Sequence, residues 1–187
     1  KSPPSINNQV SAKLATGNIS GAVRIMSTTD SVLTPSPEVL IKLQEKHPNC
    51  LDNSPIPKYE DVQQTQCSLE DVKKAIRSFK AGLAGGHDGL LPQHLKDLTE
   101  DSLGEPGLKL LQMITNFLNE VIYPGKVPNK ICQTLFGANL TALSKQDGGV
   151  CPIAVGLVWR RLASKIIMST LHETCEDLFN PNQLGVG

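Results

Sequence analysis

A chain of 187 residues with 39% apolar and 19% charged side chains can bury roughly 70% of the surface its unfolded form exposes, enough for one real core in a single domain or in a fragment of a larger one. Aromatics make up only 4%, so aliphatic side chains must fill that core. Eighteen basic and eighteen acidic residues leave a formal net charge of zero. That excludes a nucleic-acid binder working through bulk positive charge and leaves only local clusters for such a role.

The helical patterns begin early. Gln9 to Ala15 and Ile19 to Met26 read as two short helices broken at Gly17-Asn18, and Pro37 opens a third that ends near His47-Pro48. Residues 49–67, with Asn53, Pro55 and Pro57, carry no period and read as an extended connector. Ser68 then caps a helix with Asp71 at the capping-box position, and Leu69, Val72, Ile76 and Phe79 share one face. Four glycines crowd the next segment, Ala81 to Gly89. Their density permits either a tight turn between helices or close approach to a ligand. The segment lacks the Gly-Lys-Ser/Thr ending of a nucleotide loop and follows no strand, so the Walker reading fails.

Pro92 starts a helix through Leu98, and Pro106 starts a longer one with Leu111, Ile114, Leu118 and Val121 at helical spacing. Pro124-Gly125 ends it, and Pro128 opens a short element before a strand near Gly137. Leu140, Ala142 and Val150 to Val155 are strand-type residues around Asp147-Gly148-Gly149, whose Asp-Gly chemistry suits a tight hairpin turn. Lys145 sits at the hairpin mouth. From about Leu157 to Phe179 the period turns helical, with Val158, Leu162, Ile166 and Cys175 inward and Arg161 and Lys165, four apart, on a shared flank. Lys145, Arg160, Arg161 and Lys165 face only Asp147 in this stretch, so the flank is either a solvated face or a phosphate contact. Arg suits bidentate phosphate binding and Lys supplies a point charge.

The five cysteines, Cys50, Cys67, Cys132, Cys151 and Cys175, are odd in number with no Cys-x-x-Cys pair, and no His lies three to five residues from another. A metal site is therefore not expected. Neither a secretory leader nor an apolar run near the ~18 residues of a membrane span is visible. The expectation is an intracellular setting, nucleus or cytoplasm, with no membrane partner.

Residues 140–165 resemble the fingers region of reverse transcriptases from non-long-terminal-repeat retrotransposons, whose pattern is an apolar strand, a basic residue, an Asp-Gly-Gly turn, Arg-Pro-Ile and a basic helix. The corresponding residues are Lys145, Asp147-Gly148-Gly149, Cys151-Pro152-Ile153 and Arg160-Arg161. Phe79 to Leu98 is similar to the family's Gly-Pro-Asp-Gly segment, with Gly86, Asp88 and Gly89 matching and His87 in place of Pro. Weaker similarity runs back through residues 14–48 and forward to Gly187. The resemblance implies that Lys145, Gly148, Gly149, Pro152, Ile153, Arg160, Arg161, Lys165 and the Gly86, Asp88, Gly89 loop contact nucleotide or template. It also implies an Arg at position 151, where this chain has Cys151. A thiol lacks the fork of donors and the fixed charge, so nucleotide binding there is expected to be weakened. The family's two magnesium ions are held by palm carboxylates on Phe-x-x-x-Asp and Ala-Asp-Asp motifs, and neither motif occurs here. No catalytic residue is therefore named, and the chain ends about where a palm would begin.

The architecture expected is mainly α with one small antiparallel β-hairpin, an α+β chain of six to eight helices corresponding to a partial polymerase fingers region. Along the sequence it divides into a helical preamble (1–48), the connector (49–67), a helical region with the glycine-rich loop (68–135), and the hairpin with its basic helix (136–187). Two functions remain open. One is a fragment of an RNA-directed DNA polymerase that contacts an RNA template or single-stranded DNA and a nucleoside triphosphate, active only when joined to a palm. The other is a non-catalytic, retroelement-derived interaction or scaffold module.

Overall fold

A computed structural model describes residues 5–27, 31–47, 66–145 and 147–179. The connector expected over 49–67, apart from its last two residues, and the last eight residues of the chain lie outside these. The chain forms two compact units whose segments interleave along the sequence: residues 1–62, 80–84 and 138–155 in one, and 63–79, 85–137 and 156–187 in the other. As expected, the fold is mainly α with one antiparallel two-stranded hairpin.

In the first unit, α1 (Ile6–Ala15) and α2 (Ile19–Ser27) form a helical hairpin. α1 starts three residues before the Gln9 expected from periodicity, because the Ser5 hydroxyl accepts the Asn8 amide at 3.3 Å and caps a first turn in which Asn7 and Asn8 hide the apolar period. The Asn18 side chain caps the next helix by accepting the Gly21 amide at 2.8 Å. The Lys13 ammonium donates to the Gly82 carbonyl at 2.7 Å and ties residues 80–84 to this helical hairpin. α3 (Pro37–Lys46) opens as the sequence indicates, with Ser36 as N-cap and Pro37 in the first turn.

β1 (Ala138–Ser144) pairs with β2 (Val150–Gly156). The tight Asp-Gly turn expected between them is wider. A type I′ turn needs positive φ at both central residues, and among the described residues positive φ belongs to glycines alone. Asp147 instead accepts the Gly149 amide at 2.8 Å in an Asx turn, and Gly148 takes the left-handed conformation at φ 76°. The loop is closed by the Lys145 amide donating to the Gly149 carbonyl at 2.9 Å. Residues 31–33 run antiparallel along the outer edge of β1: the Leu33 amide donates to the Ala142 carbonyl and the Ser144 amide to the Ser31 carbonyl, both at 2.9 Å. They protect a strand edge that would otherwise be open. So short a pairing leaves no alternating pattern in the sequence.

The second unit holds the larger core. α4 (Leu69–Arg77) carries the expected capping box in full: the Ser68 hydroxyl accepts the Asp71 amide at 3.2 Å, and the Asp71 carboxylate accepts the Ser68 amide at 2.8 Å. Val72, Ile76 and Phe79 are buried as expected, while Leu69 is half-buried. With α5 (Pro92–Leu98), α6 (Glu105–Phe117), α7 (Asn129–Phe136) and α8 (Val158–Phe179), they enclose Leu95, Leu111, Ile114, Leu118, Val158, Leu162 and Ile166. Two residues on the apolar periods read from the sequence are not fully buried. Val121 is half-buried because a π-helical segment, Leu118–Ile122, continues α6 and its wider turn shifts the side-chain phase after Leu118. Cys175 is also half-buried, beyond Ile166, the last buried residue of α8 among those whose burial is described.

The π segment also presents Asn119 to the chain entering α4. Its carbonyl oxygen accepts the Cys67 amide and its NH2 group donates to the Cys67 carbonyl, both at 2.9 Å. One side chain therefore satisfies both backbone groups of a buried residue, and burial pushes the Cys67 thiol up from its ordinary range. Asn119→Ala should lower stability by about 2 kcal/mol, since it strands both groups, and urea unfolding midpoints measure the loss. A second tie is ionic: exposed Asp101 meets the Lys73 ammonium at 2.7 Å and the Arg77 guanidinium at 2.5 Å. Hydrogen bonds from Lys73 and then Arg77 hold its carboxyl below the usual range. A depressed folded-state value stabilises above the unfolded-state value, and the stabilisation is lost as pH falls through the folded one. In denaturation midpoints followed from pH 7 to 3, the decline of the wild type below about pH 4 should be shallower in Asp101→Asn.

Candidate nucleic-acid interface

The hairpin mouth is built by the Asx turn. With Asp147 occupied by the Gly149 amide and the Gly148 amide donating to the Lys145 carbonyl at 3.1 Å, the loop holds Lys145 exposed at its stem. Lys145, Gly148 and Gly149 line a cleft of about 260 Å³, whose other wall is α3. Leu33 and Val39, both half-buried, and buried Val150 make its apolar floor, whereas Lys42, Lys145 and Glu38 are exposed at its rim. The Ser36 hydroxyl beside Glu38 lowers its carboxyl, so Glu38 is ionised at neutral pH. The sequence reading missed Glu38 and Lys42. The available signal was their four-residue spacing on a helix opened by Ser36-Pro37, which places both on one face.

Further along β2, Cys151 and Pro152 are half-buried and Ile153 is exposed. Leu140 on β1 and Ile153 on β2 are 41% and 38% exposed, leaving large apolar side chains on the hairpin unburied within this chain.

The cations of α8 are used differently from the flank expected. Arg160 donates from Nη1 to the Phe136 carbonyl, the last carbonyl of α7, and so takes one of the orphan acceptors at a helix C-terminus. Arg161 and Lys165 share a face as the spacing implies, but both lie over the Phe79 ring, each 5.6 Å from its centroid. Burial pushes the Arg161 guanidinium down from its ordinary value. The Lys96 ammonium donates to the Phe79 carbonyl. These four cations and Phe79 belong to the second unit, and Lys145 to the first.

The glycine-rich loop closes on itself. Asp88 accepts the Leu90 amide at 3.1 Å, and the Gly89 amide donates to the Gly86 carbonyl at 3.1 Å. Gly86 packs so close to the start of α8 that an added Cβ would lie 2.9 Å from Leu157 Cα. These contacts hold the backbone that His87, in place of Pro, leaves freer. Among the described residues no group of three or more His, Cys, Asp or Glu side chains could hold a metal ion. No step is assigned through the magnesium chemistry that the resemblance implies. None of the described helices is long and apolar enough to cross a membrane.

The sequence is similar to a protein of a retrotransposable element. One relative is the Retrotransposable element SLACS 132 kDa protein of Trypanosoma brucei gambiense, 34% identical over 134 residues. The match covers 71% of this chain and 11% of that protein's length, and it supports a retrotransposon origin for the chain. No protein-family model matches the sequence. No solved structure matches it.

The α8 cations and Lys145 should separate in stability measurements. Arg161→Gln and Lys165→Gln each remove a cation from a buried ring and should cost about 0.5–1 kcal/mol. Lys145→Gln, on an exposed loop, should stay within roughly 0.5 kcal/mol of wild type by urea unfolding.

Proposed function

We propose that this chain is part of a retroelement reverse transcriptase, its fingers portion, and that it contacts the phosphates of a single-stranded template and an incoming nucleotide without catalysing their joining. The observation that carries this reading is the hairpin mouth: an exposed Lys145 held by the Asp147-Gly148-Gly149 loop beside a cleft with a second rim cation. A lysine so placed neutralises a phosphate and positions the strand without reading its sequence. The retrotransposon relative supports the same assignment. Exposed Leu140 and Ile153 support a further protein partner, a palm in this reading. Catalysis then belongs to that partner.

The non-catalytic interaction module is favoured by one observation, Cys151 where the resemblance implies Arg. The phosphate contact at the hairpin mouth belongs to the polymerase reading, which also sets position 151 against phosphate; the interaction or scaffold module requires neither. Fluorescence anisotropy with a labelled single-stranded RNA over a salt series tests the contact. Each phosphate neutralised on a single strand contributes a slope of about −0.7 in log affinity against log salt. Wild type should show a slope of roughly −1 to −2, reduced by about 0.7 in Lys145→Glu. Cys151→Arg should tighten binding if the polymerase reading holds and leave it unchanged for the module. Absence of salt-dependent binding at low ionic strength would remove the phosphate reading.

A further inference from the structure

The cleft between α3 and the hairpin has a composition that a phosphate contact alone does not require. Its floor is aliphatic, from Leu33, Val39 and Val150; its two rim lysines, Lys42 and Lys145, come from different elements; and an exposed carboxylate, Glu38, lines the same cleft. An anion site gains nothing from an ionised carboxylate at its edge. A site for an anionic molecule that also carries hydrogen-bond donors does. Its volume, about 260 Å³, lies below the roughly 300–1,000 Å³ typical of small-molecule pockets. It fits one nucleotide unit rather than a duplex.

We infer that this cleft binds one nucleotide of a single strand, with the base on the aliphatic floor, its flanking phosphates at Lys42 and Lys145, and its exocyclic amino group donating to Glu38. This rests on the reading of the hairpin mouth as a phosphate contact and adds a base preference to it. The chemistry selects by donor. Cytosine N4 and adenine N6 each offer an NH2 group to a carboxylate, whereas uracil and thymine present a carbonyl oxygen at the same edge, which repels it. Charge complementarity fixes the occupant's class: two cations at the rim match two phosphates, and the apolar floor matches the face of a base.

Ordering is supplied by the fold. Ser36 caps α3 by accepting the Val39 amide at 3.3 Å, which fixes the helix turn carrying Glu38. The adjoining residues 31–33 are pinned to β1 by backbone hydrogen bonds of 2.9 Å, so the start of α3 and the hairpin are held in one compact unit.

The test uses the full chain and fluorescein-labelled 12-residue oligomers of cytidine, adenosine and uridine at fixed low salt, read by anisotropy. Wild type should bind the cytidine and adenosine oligomers about 3- to 10-fold tighter than the uridine oligomer, the range of one base-edge hydrogen bond. Glu38→Ala should abolish that ratio while keeping binding to uridine equal or stronger. Lys42→Ala should flatten the salt slope by about 0.7 and leave the ratio intact. Both side chains are exposed, and matching circular dichroism spectra would establish that the variants fold. Equal wild-type affinities for the three oligomers, or a ratio that survives Glu38→Ala, overturns the inference while salt-dependent binding keeps the phosphate reading. Loss of all salt-dependent binding in wild type overturns both.

Discussion

The larger unit depends on Phe79. Its ring is buried beneath two cations of α8, Arg161 and Lys165, and its carbonyl receives the Lys96 ammonium from α5. An aromatic face attracts both cationic heads through its quadrupole, which an aliphatic side chain does not. The chain has few aromatics, so this one site links α4, α5 and α8 around an otherwise aliphatic core. The glycine-rich turn follows from it. Once the end of α4 and the start of α8 are fixed, Gly86 meets Leu157 at a distance that excludes a side chain.

That arrangement changes how the positive charge is read. Arg160 completes the end of α7 and Arg161 and Lys165 cover Phe79, so these residues have structural work whether or not they also meet nucleic acid. Lys145 is in a different situation, exposed at the stem of a loop that its own backbone closes. The division between cations that hold the fold and cations offered to solvent follows the hydrogen-bond acceptors and ring faces available, not the count of positive residues. A chain with zero net charge can thus present a local positive site.

The retrotransposon relationship covers 71% of the chain but only 11% of the relative. The fingers reading remains the proposal made above, argued from the hairpin, the turn chemistry and the order of motifs.

Local chemistry was enough to determine the Ser68–Asp71 capping box, the Pro37 and Pro92 helix starts, the hairpin around Asp147-Gly148-Gly149 and the aliphatic faces of α4 and α8, because each depends on groups within a few residues of one another. Ser5 was missed as a cap because polar neighbours hide the period it starts, and Val121 was misplaced because a π turn leaves no mark in a 3.6-residue pattern. Only tertiary structure decided that Arg161 and Lys165 lie on Phe79, that residues 31–33 cover β1, and that Glu38 and Lys42 share a cleft with Lys145. Spacing tells which side chains share a face; what packs opposite that face is set by contacts between segments far apart in the chain, whose geometry no local pattern contains.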